Sequence, residues 1–345
     1  MKAKFLIIIL AILITSAALE AQNKKGAIKG IVTDKKTNEA LVSATVFLEN
    51  TTFGTMSEND GRYIIPNISP GSYYLIVSSI GYEIERVPVT VAAAETLDYK
   101  IRLKEKSITI GEVNVIGKSN DEWKEHLEVF TEQFIGETQN SHYAKILNPE
   151  VINFTKDPET KQLNASTDSV IVVENKALGY RLYIMLASFT YSQKQGVNYL
   201  THIRFQELRP EDKDQEELWK TRREETYTGS QKHFFNSLLN KKLHQEGFRL
   251  SQGPMYLLTS GLGVYVLEED VDIEEDLNDL LRMDLETSYR IDCQKNSTVD
   301  YIVPVSRFIL LDKDGNRMDG GVMNVGGYWA SQRIADALPY NYDVK

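Results

Sequence analysis

The sequence predicts an antiparallel β-sandwich followed by a mixed α+β domain. Three observations carry this expectation. From Gly26 to Lys104, short runs of strand-forming residues alternate with turn residues at near-regular spacing. Amphipathic helical stripes begin only after residue 120. The 345 residues are 42% hydrophobic and 26% charged, the balance of a folded globular chain with room for two or three domains.

The first residues read Lys2-Ala3-Lys4, then an apolar run from Phe5 to Ile14, then small residues. This is the layout of a secretory signal peptide, and the run is too short for a comfortable membrane span. Cleavage fits after Ala18 or Ala21, and Ala21 is preferred, giving a leader of 1–21; a retained N-terminal anchor is the alternative. With the leader removed, the expectation is no integral membrane protein. Cys293 is the single cysteine, so no internal disulfide can form. An exported chain without disulfides points to a Gram-negative envelope, either the periplasm or the outer-membrane surface.

The sandwich is expected over 26–104, with about seven strands. Residues 27–32, 45–48, 62–65, 73–78 and 86–91 are strand candidates. Asn59-Asp60-Gly61 is a hairpin signal, because glycine tolerates positive φ. Pro66 is expected to break the ladder after Ile65. Leu97, Tyr99, Ile101 and Leu103 alternate and share one face of the last strand.

Gly30-x-Val32-x-Asp34, Thr37, Leu41, Ala44-x-Val46-x-Leu48, Gly54-Thr55, Asp60-Gly61-x-Tyr63, Pro70-Gly71-x-Tyr73 and Gly81-Tyr82 follow one another in order. The run resembles the carboxypeptidase regulatory-like domain of envelope proteins, which implies a transthyretin-like sandwich. The resemblance does not bring a peptidase. Catalytic zinc needs three protein ligands, and neither His-x-x-Glu nor His-Glu-x-x-His occurs. His126, His142, His202, His233 and His244 are scattered; His126-Leu127-Glu128 and His244-Gln245-Glu246 lack the spacing that places two ligands on one helical face.

Residues 105–119 form a strand or linker. Glu112-Val113-Asn114-Val115-Ile116-Gly117 is similar to the stretch that follows this domain in TonB-dependent outer-membrane receptors. Glu112, Val113, Val115 and Gly117 are candidates for pairing with a partner's strand, with a simple linker as the alternative. The remaining residues offer too few alternating segments for a barrel.

The domain from 120 to 345 opens with a helix over 121–135, carrying Trp123, Leu127, Phe130 and Phe134 on one stripe. Strands are expected at 151–154 and 162–165 around Asp157-Pro158, then at 170–173, 182–189 and 197–208. Pro210 opens a charged helix, and Ser230 caps a second over 231–245. Residues 255–258 and 264–267 read as strands. Ile273, Leu277, Leu280 and Leu281 suggest a short helix with a solvated acidic face, and 329–338 another. Asp312 to Asn316 reads as a hairpin tip between 308–311 and a strand around Val322. The order Ala177-Leu178-Gly179-Tyr180, Tyr227-x-Gly229-Ser230, His233-Phe234 and Gly247-Phe248 resembles a region of unassigned activity that accompanies this sandwich in envelope proteins.

The net charge of −10 disfavours nucleic acid as a partner. The sandwich carries −1 and residues 105–345 carry −12. No Asp-x-Asp-x-Asp-Gly loop points to calcium, and no local signature makes Cys293 a nucleophile. No catalytic, cofactor or metal residues are therefore assigned. The expectation is a non-enzymatic, exported envelope protein whose sandwich binds another envelope protein. The alternative is a carbohydrate- or peptide-binding module for a cell-surface glycan, with Phe53, Tyr73, Tyr74 and Tyr82 as the ligand-contacting aromatics. A third possibility is a hydrolase hidden in 120–345.

Overall fold

A computed structural model describes residues 24–106, 121–167, 169–276, 279–318 and 323–343. The leader over 1–21 and the candidate partner strand at 108–118, with Glu112, Val113, Val115 and Gly117, lie outside the described residues. The described residues fall into two compact units, one drawn from 1–49 and 53–108, the other from 50–52 and 109–345.

The first unit has seven strands: β1 (Gly26–Asp34), β2 (Thr45–Leu48), β3 (Gly54–Met56), β4 (Arg62–Ile68), β5 (Gly71–Ser78), β6 (Glu85–Val91) and β7 (Thr96–Leu103). They form two sheets, β4-β1-β7 and β3-β2-β5-β6. Pairing is antiparallel except for β1 with β7, which run parallel from Ala27↔Thr96 to Asp34↔Leu103. Alternation explains the core: Ile28, Val32, Val46, Leu48, Leu75, Val77, Val89, Val91, Ile101 and Leu103 point inward and lose nearly all exposure. Pro66 does not end its strand. It lies on the edge strand β4, where no ladder donor is required, and the register shifts between Gly26 and Ile28 opposite it.

The second unit holds a six-stranded sheet ordered β8-β11-β12-β10-β9, with β13 added beside β12. Its strands are β8 (Ala144–Ile146), β9 (Ile152–Lys156), β10 (Leu163–Thr167), β11 (Ile171–Asn175), β12 (Tyr180–Ser192) and β13 (Gly196–Glu207). Helix α1 (Asp121–Ile135) buries Trp123, Phe130 and Phe134 against Phe154 and Phe189, and the Trp123 indole N–H donates to the Ile152 carbonyl at 3.1 Å. Residues 50–52 pair along β13: Phe205 N–H donates to the Thr51 carbonyl at 2.9 Å.

A second core gathers under α3 (Gln231–Leu239), which follows α2 (Lys213–Tyr227). It involves the sheet β15-β14-β18-β19-β21: β14 (Phe248–Gln252), β15 (Val264–Val266), β18 (Tyr289–Cys293), β19 (Thr298–Pro304) and β21 (Met323–Gly327). A smaller sheet joins β16 (Ile273–Glu275), β17 (Leu281–Asp284) and β20 (Phe308–Leu311).

Several expected elements differ. Residues 255–258 lie in a short helix, α4 (Met255–Thr259), because Pro254 presets the first turn and the Thr259 hydroxyl donates back to the Met255 carbonyl at 3.0 Å. The acidic segment is not a helix. Ile273–Glu275 and Leu281–Asp284 pair as strands, which sets Glu274 opposite Arg282 where a helix would stack carboxylates on carboxylates. Pro210 lies outside α2, whose cap is Asp212, accepting from Gln215 N–H at 2.8 Å. The helix capped by Ser230 stops at Leu239, and positive φ at Lys241 turns the chain away. Asp312 to Asn316 does form a turn, yet β21 pairs with β19 and not with β20. Two 3-10 turns, Tyr328–Ala330 and Ile334–Asp336, replace the expected last helix.

Candidate functional site

Within the sandwich, the four candidate aromatics fall in three places. Phe53 and Tyr73 meet edge-on at 6.4 Å, and the Tyr73 hydroxyl donates to the Ser69 carbonyl at 2.9 Å. Tyr74, the next residue along β5, projects to the other face, where the Arg86 guanidinium covers its ring at 3.3 Å and pairs with Glu49 at 3.0 Å. The Tyr82 hydroxyl donates to the Asp34 carboxylate at 2.9 Å. Asp34 also accepts the Lys36 and Thr37 amides, and these bonds hold its carboxyl below the usual range. The four rings therefore do not line one platform, and the Tyr73 and Tyr82 hydroxyls serve the fold.

The second unit contains an open cleft of about 420 Å3. It is built from the start of β12, the end of β13, one face of α2 and the segment 339–343, with Thr52 at its margin. The local sequence explains its floor. Gly179 adopts φ +68, and a Cβ there would lie 2.4 Å from the Trp219 ring, so only glycine lets α2 approach β12 so closely. Trp219 and Arg223 stand one helical turn apart and grip the same turn of chain. The Trp219 indole N–H donates to the Lys176 carbonyl at 2.8 Å, and Arg223 Nε donates to the Leu178 carbonyl at 2.7 Å. Asn175 Oδ1 accepts the Ala177 and Leu178 amides, completing that turn. The Arg223 guanidinium then lies over the Tyr180 ring at 4.0 Å and reaches Glu207 at 3.5 Å.

The lining mixes Glu207, Glu224 and Asp343 with Lys220 and Arg223, beside the phenols Tyr180 and Tyr342. Burial raises the pKa of both phenols above the ordinary value, so they stay neutral at physiological pH. Neither hydroxyl has a protein hydrogen-bond partner among the described residues. With no histidine or cysteine in the lining, the cleft offers hydrogen bonds, charge and the half-buried Tyr342 ring to a ligand, the Tyr180 ring being buried beneath Arg223. None of these residues was singled out for binding in the sequence, although Tyr180 and Gly179 fall in one of its recurring motifs.

The remaining motif residues converge on His233. Ser230 caps α3 by accepting the His233 amide at 3.2 Å. Gly229 N–H donates to His233 Nδ1 at 3.0 Å, which leaves the proton on Nε2, 3.3 Å from the Glu246 carboxylate. Tyr227 and Phe248 flank the ring at 4.9 and 4.8 Å, and the Trp329 indole N–H donates to the Gly229 carbonyl at 2.7 Å. Burial lowers the His233 pKa, opposed by Glu246 and reinforced by Lys295. The Lys295 ammonium meets the same Glu246 oxygen at 2.5 Å. Glu246 lies two residues from His244 in sequence, at a spacing that argues against a pair, and its partner is His233, thirteen residues upstream. Cys293 is buried in the apolar core beneath this cluster. Among the described residues, no three His, Cys, Asp or Glu side chains gather as a metal set.

Residues 28–115 match the model of the CarboxypepD_reg-like domain. The chain carries a carboxypeptidase regulatory-like domain. The match agrees with the two-sheet architecture of the first unit and its seven strands. The chain is also similar to the TonB-dependent receptor SusC of Bacteroides thetaiotaomicron, 28% identical over 196 residues, covering 51% of this chain and 19% of the receptor. Thus it spans about a fifth of that relative's length. Among solved structures, a putative carbohydrate binding protein from Bacteroides uniformis is 9% identical, covering 54% of this chain and all of that one, with a TM-score of 0.21. A type II cohesin–X-dockerin complex from Acetivibrio cellulolyticus is 16% identical over 33% of this chain and 78% of that chain, with a TM-score of 0.22. No helix among the described residues is long and apolar enough to cross a membrane.

Proposed function

We propose that this protein is a non-catalytic binding component of the bacterial envelope, its regulatory-like sandwich docking to another envelope protein of an outer-membrane receptor system. The observation that supports this most is the regulatory-like domain at 28–115, together with the similarity to a TonB-dependent receptor. The test is recovery of the tagged mature chain from its native envelope, with co-purifying proteins identified by mass spectrometry. An outer-membrane protein at near-equal stoichiometry, lost on deletion of 108–118, is the expected result. Recovery of the chain alone refutes the docking role. Hydrolysis of peptides or glycans that disappears with one carboxylate or cysteine substitution refutes the non-catalytic one.

A second reading, a carbohydrate- or peptide-binding module, is favoured by the cleft. Its lining of three carboxylates and two cations, with the half-buried Tyr342 ring, suits a neutral polyhydroxylated ligand such as a mono- or disaccharide. Sugar hydroxyls both donate and accept, and sugar C–H faces stack on aromatic rings. A glycan array with the wild type and Tyr342→Ala tests it. Binding that Tyr342→Ala removes and Tyr74→Ala leaves intact places the ligand in the cleft. The reverse pattern places it on the sandwich, and an empty array rejects the reading.

A further inference from the structure

Strand β15 ends one side of its five-stranded sheet, and its one protection as an edge is its length of three residues. It has no lysine, no proline and no register shift against β14. Its side chains are apolar, and two of the three are exposed: Val264 keeps 67% of its surface in solvent and Tyr265 keeps 55%, while Val266 is buried in the core. Val264 and Tyr265 point to opposite faces, so each face of the strand carries one exposed apolar side chain. Tyr256, Leu262 and Leu267, on the flanking α4 and turns, are exposed as well. An apolar patch of this kind, wrapped around an open edge, is the feature that strand addition uses.

Charge identifies the occupant. From 254 to 276 the chain holds seven carboxylates and no lysine or arginine. Glu268 is engaged, accepting the Leu243 amide at 2.7 Å, while Glu269, Asp270, Asp272, Glu274 and Glu275 are exposed. Arg290, the cation nearest α4, donates to the Leu258 carbonyl and is paired with Asp292 at 2.7 Å. The field beside the open edge is therefore negative. Arg282 stands opposite Glu274 and Arg249 is exposed on β14, yet carboxylates outnumber these cations, so a second copy of this chain would bring a like excess of negative charge.

We propose that β15 is a docking edge for an extended segment of another protein, one that alternates apolar with basic side chains. The partner strand would pair with β15 through its backbone. Its apolar residues would extend the face that carries Val264, and its lysines or arginines would lie on the opposite face beside Tyr265, within reach of the acidic run. This site lies on the second unit and does not depend on what the sandwich binds.

The test uses the full mature chain and three fluorescein-labelled peptides. One alternates valine with lysine, one alternates valine with glutamate, and the third is the lysine peptide with alternate backbone amides methylated. Anisotropy should show binding of the lysine peptide alone, weakening as salt is raised, because the opposed charges become screened. Val264→Lys and Tyr265→Lys should each weaken binding by about tenfold or more, with circular dichroism checking that the variants fold. Four results overturn the proposal: no binding of the lysine peptide, equal binding of the glutamate peptide, equal binding of the methylated peptide, or unchanged binding by both folded variants. A concentration-dependent dimer in sedimentation that Val264→Lys abolishes gives the edge to a second copy, and also overturns it.

Discussion

Asp300→Asn should stabilise the protein at pH 7.5 and not at pH 4.5. Asp300 lies in β19 with none of its surface exposed. Its Oδ1 accepts the Trp329 backbone N–H at 2.7 Å, and its Oδ2 is buried with no hydrogen-bond partner among the described residues. Loss of water around the charge raises the carboxyl from 3.8 to about 6, and the Trp329 amide opposes this without reversing it. A carboxyl whose folded pKa exceeds its unfolded value binds more protons in the native state between the two. Stability from this group is therefore highest below pH 4 and is lost as pH rises through 6. The shift is roughly two units, so at about 1.4 kcal/mol per unit the penalty at pH 7.5 is at most about 3 kcal/mol.

Asparagine keeps the acceptor for Trp329 and carries no charge. It gives up the charge-assisted part of that bond, about 1 kcal/mol. The expected net gain at pH 7.5 is about 1–2 kcal/mol, a Tm rise of a few degrees for a unit of this size. At pH 4.5 the variant should equal the wild type or fall slightly below it. Thermal melts of both proteins at pH 4.5, 6.0 and 7.5 read this directly, because other titrating groups cancel in the difference. A difference that does not change with pH, or a variant less stable at pH 7.5, refutes the reasoning.

Three further outcomes are expected. His233 is held neutral, since its Nδ1 accepts the Gly229 amide and burial lowers its pKa; stability from it is present above pH 6.5 and is lost as pH falls further, so His233→Gln should flatten the acid limb of a urea-denaturation series while lowering stability at pH 7.5. Gly179→Ala places a Cβ 2.4 Å from the Trp219 ring at φ +68 and should cost more than about 2 kcal/mol in the same assay, with the cleft distorted. Tyr63→Phe removes the hydroxyl bond to the Tyr99 carbonyl at 3.0 Å and should cost about 1 kcal/mol; a larger loss would mean that the bond also sets the β1–β7 register.

What could be read in the sequence was what local physics decides. Asn59-Asp60-Gly61 gives a turn because Gly61 takes φ +77, and Leu97 to Leu103 gives a strand because period-two alternation has one outcome beside a core. Ser230 reads as a cap because a serine hydroxyl accepts an amide within its own turn. Residues 255–259 failed the same test: a short apolar run fits helix or strand equally, and only Pro254 tips it. The acidic hairpin failed because its helical spacing was real, while the partners that chose the strand form, Arg282 for Glu274 and β20 for β17, come from elsewhere in the chain.

The cleft is the extreme case of that limit. Tyr180, Glu207, Arg223 and Tyr342 belong to four segments, and no spacing rule connects them. Each had a sufficient local account: a strand aromatic, a strand-end acid, a helix cation, a residue near the last described position. The signal available was the pair Trp219 and Arg223, one turn apart on a strongly charged helix, which implies that the helix is gripping something. It grips the turn at 176–179, and that grip spends the arginine on backbone carbonyls and leaves the two phenol hydroxyls without a protein partner among the described residues. Polar groups that folding needs are satisfied by folding. A half-buried hydroxyl that folding leaves without a protein partner is open to solvent and to a ligand alike, which makes Tyr342 the residue whose substitution tests this cleft.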